Sequence, residues 1–163
     1  MSSTRWPAEI MPGEDTVKPA SRLTIESRLD DLALVWRWVE ALAAEHAIPA
    51  DTQFAIHLCL EEALSNIIHH GYLGEPNHAI TLDCTVDLAP GGAHELSFVV
   101  EDQAPPFDPL APSAVEEAPI PASIDELRPG GQGIRLLKKF AGSLAYQHLA
   151  GGNRLTIRFA IPH

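Results

Sequence analysis

Glu62 and Asn66 stand four residues apart in the stretch LCLEEALSNIIHHGY (58–72), with His69 and His70 following. On a helix that spacing stacks the carboxylate and the carboxamide on one face, about one turn apart, with an imidazole roughly one turn further on. A carboxylate can accept a proton, a carboxamide can donate and accept hydrogen bonds, and an imidazole can take up or give a proton near neutral pH. Leu58, Leu64, Ile67 and Ile68 put apolar surface around this polar edge, so it is expected at the margin of a core. The same residues at the same spacing also describe an ordinary solvated stripe, and the rest of the chain has to decide between the two.

The helix that carries this edge should begin near Pro49, in the first turn, and be closed by Gly71. Before it, Leu32, Val35, Trp36, Val39 and Leu42 recur at three- and four-residue intervals, giving a helix over about 28–46 with its tryptophans in the core. Ser27 with Asp30 three residues on reads as a capping box for that helix, preceded by a short strand over 22–26. Residues 1–20 carry three prolines among polar residues and read as a mobile arm, with the domain proper over 21–163.

Two strands should follow the polar edge, at about 79–87 and 94–101, joined by the turn Ala89-Pro90-Gly91-Gly92. The second runs into Asp102, a carboxylate delivered at a strand end. From about 103 to 129 seven prolines exclude a regular element, which describes a functional loop or lid. Gly130-Gly131-Gln132-Gly133 then leads into an apolar helix from Ile134. Such glycines suit either a hinge or a phosphate cradle at a helix start. A last hairpin, Ser143–Leu149 and Arg154–Ile161, closes the chain. Strands joined mostly by hairpins imply an α+β two-layer sandwich, with a mixed, mainly antiparallel sheet and three helices on one face.

The 163 residues are 45% hydrophobic and 20% charged, as expected of a single soluble domain. No apolar run approaches the ~20 residues needed to span a bilayer, so no membrane role and a cytoplasmic location are expected. A net charge of −11 without a basic cluster excludes nucleic acid as a partner. Cys59 and Cys84 lack metal-ligand spacing and read as reduced core thiols.

Taken in order, Glu62-x-x-x-Asn66, Asp102 with Pro106-Phe107-Asp108-Pro109, and Gly130-Gly131-Gln132-Gly133-Ile134 resemble the three nucleotide boxes of a known superfamily. It is the ATPase superfamily shared by gyrase, heat-shock chaperones, histidine kinases and mismatch-repair ATPases. Within it the chain is most similar to the small anti-sigma-factor serine kinases of bacteria. The likeness runs over about residues 20–161 and implies a Bergerat-type ATP-binding fold. It implies that Asn66 coordinates Mg²⁺, that Glu62 is the base for an incoming serine or threonine hydroxyl, and that Asp102 bonds the adenine amino group. It places His70, Ala104, Phe107, Gly130, Gly131, Gln132, Gly133 and Ile134 around the nucleotide. Ala104 departs from the pattern, which usually has glycine there; Thr156 lies too far along to be the threonine of the last strand turn, and Asn153 sits nearer that place.

The resemblance therefore implies a cytoplasmic, ATP- and Mg²⁺-dependent serine/threonine kinase. It would phosphorylate a small antagonist protein, hold a sigma factor or other regulator, and form a homodimer. Ala104 and the proline-heavy lid motivate a second reading, a non-catalytic or nucleotide-free module that sequesters a partner.

Overall fold

The computed structural model describes residues 20–88, 91–110 and 133–161, with side chains in the last segment from 137 onward. The expected arm, apart from Ala20, and residues 111–129 of the expected lid lie outside the described residues. In chain order the elements are β1 (Ser21–Glu26), a 3₁₀ turn (Leu29–Asp31), α1 (Leu32–Glu45), α2 (Ala50–Asn66), a π-turn (Ile67–Gly71), β2 (Ala79–Leu88), β3 (His94–Asp102), α3 (Gly133–Phe140), β4 (Ser143–Leu149) and β5 (Gly152–Ile161).

The strands form one sheet in the order β1-β2-β3-β5-β4. All four pairings are antiparallel, so the sheet is antiparallel throughout and not mixed. β1–β2, β2–β3 and β4–β5 join antiparallel neighbours, whereas the connection from β3 through α3 to β4 crosses past β5 to a strand that runs parallel to β3.

Alternation assigns each strand one buried face. Ile80, Leu82 and Cys84 of β2, Leu96, Phe98 and Val100 of β3, and Leu155, Ile157 and Phe159 of β5 are buried. Val35, Val39 and Leu42 of α1 and Ile56, Leu60 and Leu64 of α2 belong to the same core. Phe98 is fully buried, with Trp38 and Phe159 edge-on at 5.8 and 6.0 Å. The other sheet face is polar and knit by Arg22–Asp83 and Arg154–Glu101 pairs. Cys59 and Cys84 are free and buried, and burial pushes both thiols up to about 12.

Three local expectations are corrected. Ser27 does not cap α1: its hydroxyl donates to the Glu75 carbonyl at 2.6 Å and accepts from His78 N–H at 3.1 Å. The side chain is recruited by a loop far along the chain, and a 3₁₀ turn takes up the helix start. Trp36 is 42% exposed and stacks on the His57 ring at 4.1 Å, linking α1 to α2 from outside the core. Gly71 ends the π-turn without a left-handed conformation; its lack of a side chain serves the site described next.

Candidate functional site

α2 buries Ala55, Ile56, Cys59, Leu60, Ala63 and Leu64, which fixes its rotation and leaves Glu62 and Asn66 half-buried at the edge. Burial, and then the neighbouring Glu61 charge, raise the Glu62 carboxyl above its ordinary range. After Asn66 the helix widens: Tyr72 N–H reaches the Ile67 carbonyl at 2.9 Å, five residues back. Wide turns of this kind recur at functional sites. Here the turn delivers Tyr72, whose hydroxyl accepts from Gln103 N–H at 2.8 Å and so ties the helix end to the residue after Asp102.

Asp102 is the last residue of β3 and is 7% exposed. Its Oδ1 accepts from Ala104 N–H and from Asn153 Nδ2, both at 2.9 Å. Among the described residues no donor reaches Oδ2. Burial raises this carboxyl above its usual range, while the bonds from Asn153 and Ala104 oppose the rise. The β3–β5 register sets Asp102 opposite Asn153. Gly152 makes the approach possible, because a Cβ there would overlap the Asp102 carbonyl oxygen.

These groups line a cleft of about 400 Å³ of empty volume that includes Asn66, Ala63, Ile67, Asp102, Phe107 and Leu155. Its walls are largely apolar side chains and its polar groups are few, the usual form of a small-molecule site. Ala104 also lines it and is 4% exposed. A Cβ at Gly71 would stand 2.9 Å from the Ala104 Cβ, so the space left by the glycine houses the alanine methyl. The His70 ring, exposed on the π-turn, faces the Phe107 ring at 6.1 Å. Glu62 is one turn before Asn66 and outside the cleft lining.

The structure thus brings together Asn66, Asp102, Ala104 and Phe107, with His70 and Glu62 at the margins. Gly133 and Ile134 open α3, while Gly130, Gly131 and Gln132 lie outside the described residues. Thr156 points away, since the alternation that buries Asn153, Leu155 and Ile157 puts it on the opposite sheet face. Asn153, Tyr146, Tyr72 and Gly71 join the site without having been assigned to it from sequence. Only Asn153 carried a signal, its place near the last strand turn. Among the described residues no helix is long and apolar enough to cross a membrane, and no cluster of His, Cys, Asp and Glu could by itself hold a metal.

The chemistry of the donors fits an adenine nucleotide with Mg²⁺. A buried carboxylate with one oxygen satisfied and the other without a described donor can accept an amino N–H. A single amide oxygen is a reasonable protein contribution for an ion that retains waters and phosphate oxygens.

Comparison with known proteins agrees. A family described as "Histidine kinase-like ATPase domain" matches residues 25–159. The serine/threonine-protein kinase BtrW of Bordetella bronchiseptica is 32% identical over 120 residues, covering 74% of this chain and 79% of that protein. A crystal structure of the RsbU and RsbW domains of a Mycobacterium tuberculosis protein superposes with a TM-score of 0.52 at 16% identity, over 88% of this chain. The present chain spans about a third (34%) of that one, and the likeness concerns the fold.

Proposed function

The chain belongs to the histidine kinase-like ATPase family, among its anti-sigma-factor serine/threonine kinases, and from that membership we propose that it is an ATP- and Mg²⁺-dependent protein kinase. Its substrate would be a serine or threonine of a small antagonist protein, and its regulated partner a sigma factor or similar regulator held when the antagonist is phosphorylated. The observation that carries the reading is the Asp102 carboxylate, buried at the cleft with Oδ1 held by Asn153 and Ala104 and Oδ2 without a described donor.

When bound, Mg-ATP supplies the transferable phosphoryl group and the charge neutralisation its transfer needs. Asp102 selects a base that presents an amino group, and Ala63, Ile67 and Leu155 offer apolar walls to its ring. Asn66, at the last turn of α2, offers an amide oxygen to the metal. Glu62 accepts the substrate hydroxyl proton; its raised pKa brings it nearer the working pH and makes it a better base than an ordinary carboxylate. Gly130, Gly131, Gln132, Gly133 and Ile134 are assigned to the phosphates, and residues 103–129 to a lid that excludes water. A homodimer and a cytoplasmic location belong to the same reading. The nucleotide-free alternative rests on Ala104 and the proline-heavy lid, and the Ala104 methyl occupies room that Gly71 leaves for it.

Calorimetric titration of the wild type with ATP, with and without Mg²⁺, tests this. Magnesium-dependent binding is the expected result, followed by transfer of labelled phosphate to a co-purified antagonist. Absence of binding under both conditions would sink the kinase reading and leave a partner-sequestering module.

A further inference from the structure

We propose that Asn153 is the positioning residue of the base site, and that one amide group couples the recognition carboxylate to the root of the loop after β3. The inference rests on reading the cleft as an adenine-nucleotide site, and adds to it a coupling between the base acceptor and the loop root that the reading does not contain.

Asn153 is 5% exposed and both ends of its amide are in use. The two Nδ2 hydrogens serve three acceptors, one of them shared: Asp102 Oδ1 at 2.9 Å, the Ala104 carbonyl at 3.1 Å and the Pro105 carbonyl at 3.2 Å. Oδ1 accepts from Phe107 N–H at 3.2 Å and from the Tyr146 hydroxyl at 2.5 Å. No other short side chain can do this. A hydroxyl has one donor, a carboxylate has none, and only an amide presents two donors and an acceptor in one plane.

Two consequences follow. First, the bond to Oδ1 fixes the carboxylate plane of Asp102 and leaves Oδ2 for a ligand. Second, Pro105 and Pro106 have no N–H to hold this stretch of backbone, so the Asn153 amide takes the carbonyls on one side and the next available N–H, that of Phe107, on the other. Phe107 lines the cleft and faces His70, so the residue that orients the base acceptor also sets the aromatic wall. The amide is held against flipping by Phe107 N–H, which can only donate, and by the carboxylate and carbonyl oxygens around Nδ2, which can only accept, and Tyr146 on the neighbouring strand β4 adds its hydroxyl to the same Oδ1.

The test combines hydrogen exchange of the nucleotide-free full chain with titrations of ATP and GTP, on the wild type, Asn153→Ala, Asn153→Asp and Tyr146→Phe. Guanine presents a carbonyl where adenine presents its amino group, so the ATP/GTP ratio reports the Asp102 acceptor. In Asn153→Ala the Ala104 and Phe107 amides exchange faster, with β1 and β2 unchanged. ATP affinity falls about tenfold or more, as for a lost hydrogen bond to a charged group, and GTP affinity holds. Asn153→Asp sets a second carboxylate against Asp102 and is therefore measured at a pH high enough that the pair shares no proton, where it keeps the acceptor for Phe107 and Tyr146 but has no donor. It retains Phe107 protection while losing the ATP preference, which separates the two consequences and replaces the alanine variant should that fail to fold. Tyr146→Phe gives a smaller change in the same direction. A wild-type ATP/GTP ratio in Asn153→Ala or Asn153→Asp, or wild-type protection at Ala104 and Phe107 in Asn153→Ala, overturns the proposal. If the wild type binds no ATP, the kinase reading fails separately and the exchange result alone decides the coupling.

Discussion

The two ends of the cleft are built differently. Where β3 ends and β5 begins, Asp102 and Asn153 are 7% and 5% exposed, and Asn153 alone makes five hydrogen-bond contacts. Tyr72 adds a tie to Gln103 from the far side. Along the edge of α2, Glu62 and Asn66 are half-buried, and among the described residues their side chains have no hydrogen-bond partners. A base site whose acceptor is already oriented loses little on binding, which favours affinity and selectivity. If this edge carries the transfer, the absence of partners among the described residues leaves its carboxylate and amide for groups that arrive with the ligand and the substrate. Under the proposed function, the base end is complete in the described chain itself, whereas the transfer edge would be completed by the nucleotide and substrate.

The sharpest way to break this contrast is Glu62→Gln. Transfer to the antagonist should fall by about 10²- to 10⁴-fold, the usual range for loss of a positioned base. ATP affinity should stay within about twofold, because a group that acts only in the transition state contributes little to ground-state binding. Single-turnover transfer at saturating ATP, beside a titration, gives both numbers. An equal loss in both would make the edge a binding element and erase the distinction. Asp102→Asn should do the reverse. Its oxygen can still accept from Asn153 and Ala104, but an NH₂ replaces the acceptor Oδ2. ATP affinity should fall by roughly 10²-fold, corresponding to ~1.5–3 kcal/mol for a hydrogen bond to a charged group, with the saturated transfer rate preserved.

What the sequence made legible divides along the same line. Periodicity placed both long helices and all five strands, because apolar spacing is a local property. Glu62 and Asn66 were legible for the same reason, being one helical turn apart, and Asp102 was legible as a carboxylate at a strand end. The supporting residues of the base end were not. Asn153 lies fifty-one positions from Asp102, and only the β3–β5 register makes them neighbours. Gly71 read as a helix terminator, since its true neighbour, Ala104, comes from another element. Ser27 matched a capping pattern but its hydroxyl is claimed by the Glu75–His78 loop, a case of tertiary bonding overriding a local signal. The π-turn has no sequence marker among these residues; in the fold it ends at Tyr72, whose hydroxyl meets Gln103 N–H.

A smaller effect probes the packing between the two ends. Gly71→Ala would set a Cβ 2.9 Å from that of Ala104, with no flexible side chain to yield. Overpacking of this kind costs about 1–3 kcal/mol, and here it should also displace the backbone between Asp102 and Phe107. Ala104→Gly in the same chain should restore most of the stability. A double-mutant cycle by urea denaturation should give a coupling of roughly 0.5–3 kcal/mol. Additivity within error would mean that the Ala104 methyl is housed by something other than the missing side chain at 71.

The smallest expected effect concerns the stability held back at the base end. Burial raises the Asp102 carboxyl above its ordinary value, with Asn153 and Ala104 opposing the rise. In the unfolded chain this group ionises at about 3.9, and in the fold only at a higher pH, so between those points the folded state binds more protons. Stability from this group is then fully present below the unfolded value and declines as pH rises through the folded one. Asp102→Asn cannot titrate. Its stability relative to wild type should therefore climb from about pH 4, the unfolded-state value, and level off once the folded carboxyl is ionised. Urea midpoints of both proteins between pH 4 and 8, without nucleotide, measure the gap. A gap that narrows with rising pH would reverse the sign and show that the donors around Oδ1 outweigh burial. Asp102 would then be a stabilising carboxylate, and the base end would no longer trade stability for a ready acceptor.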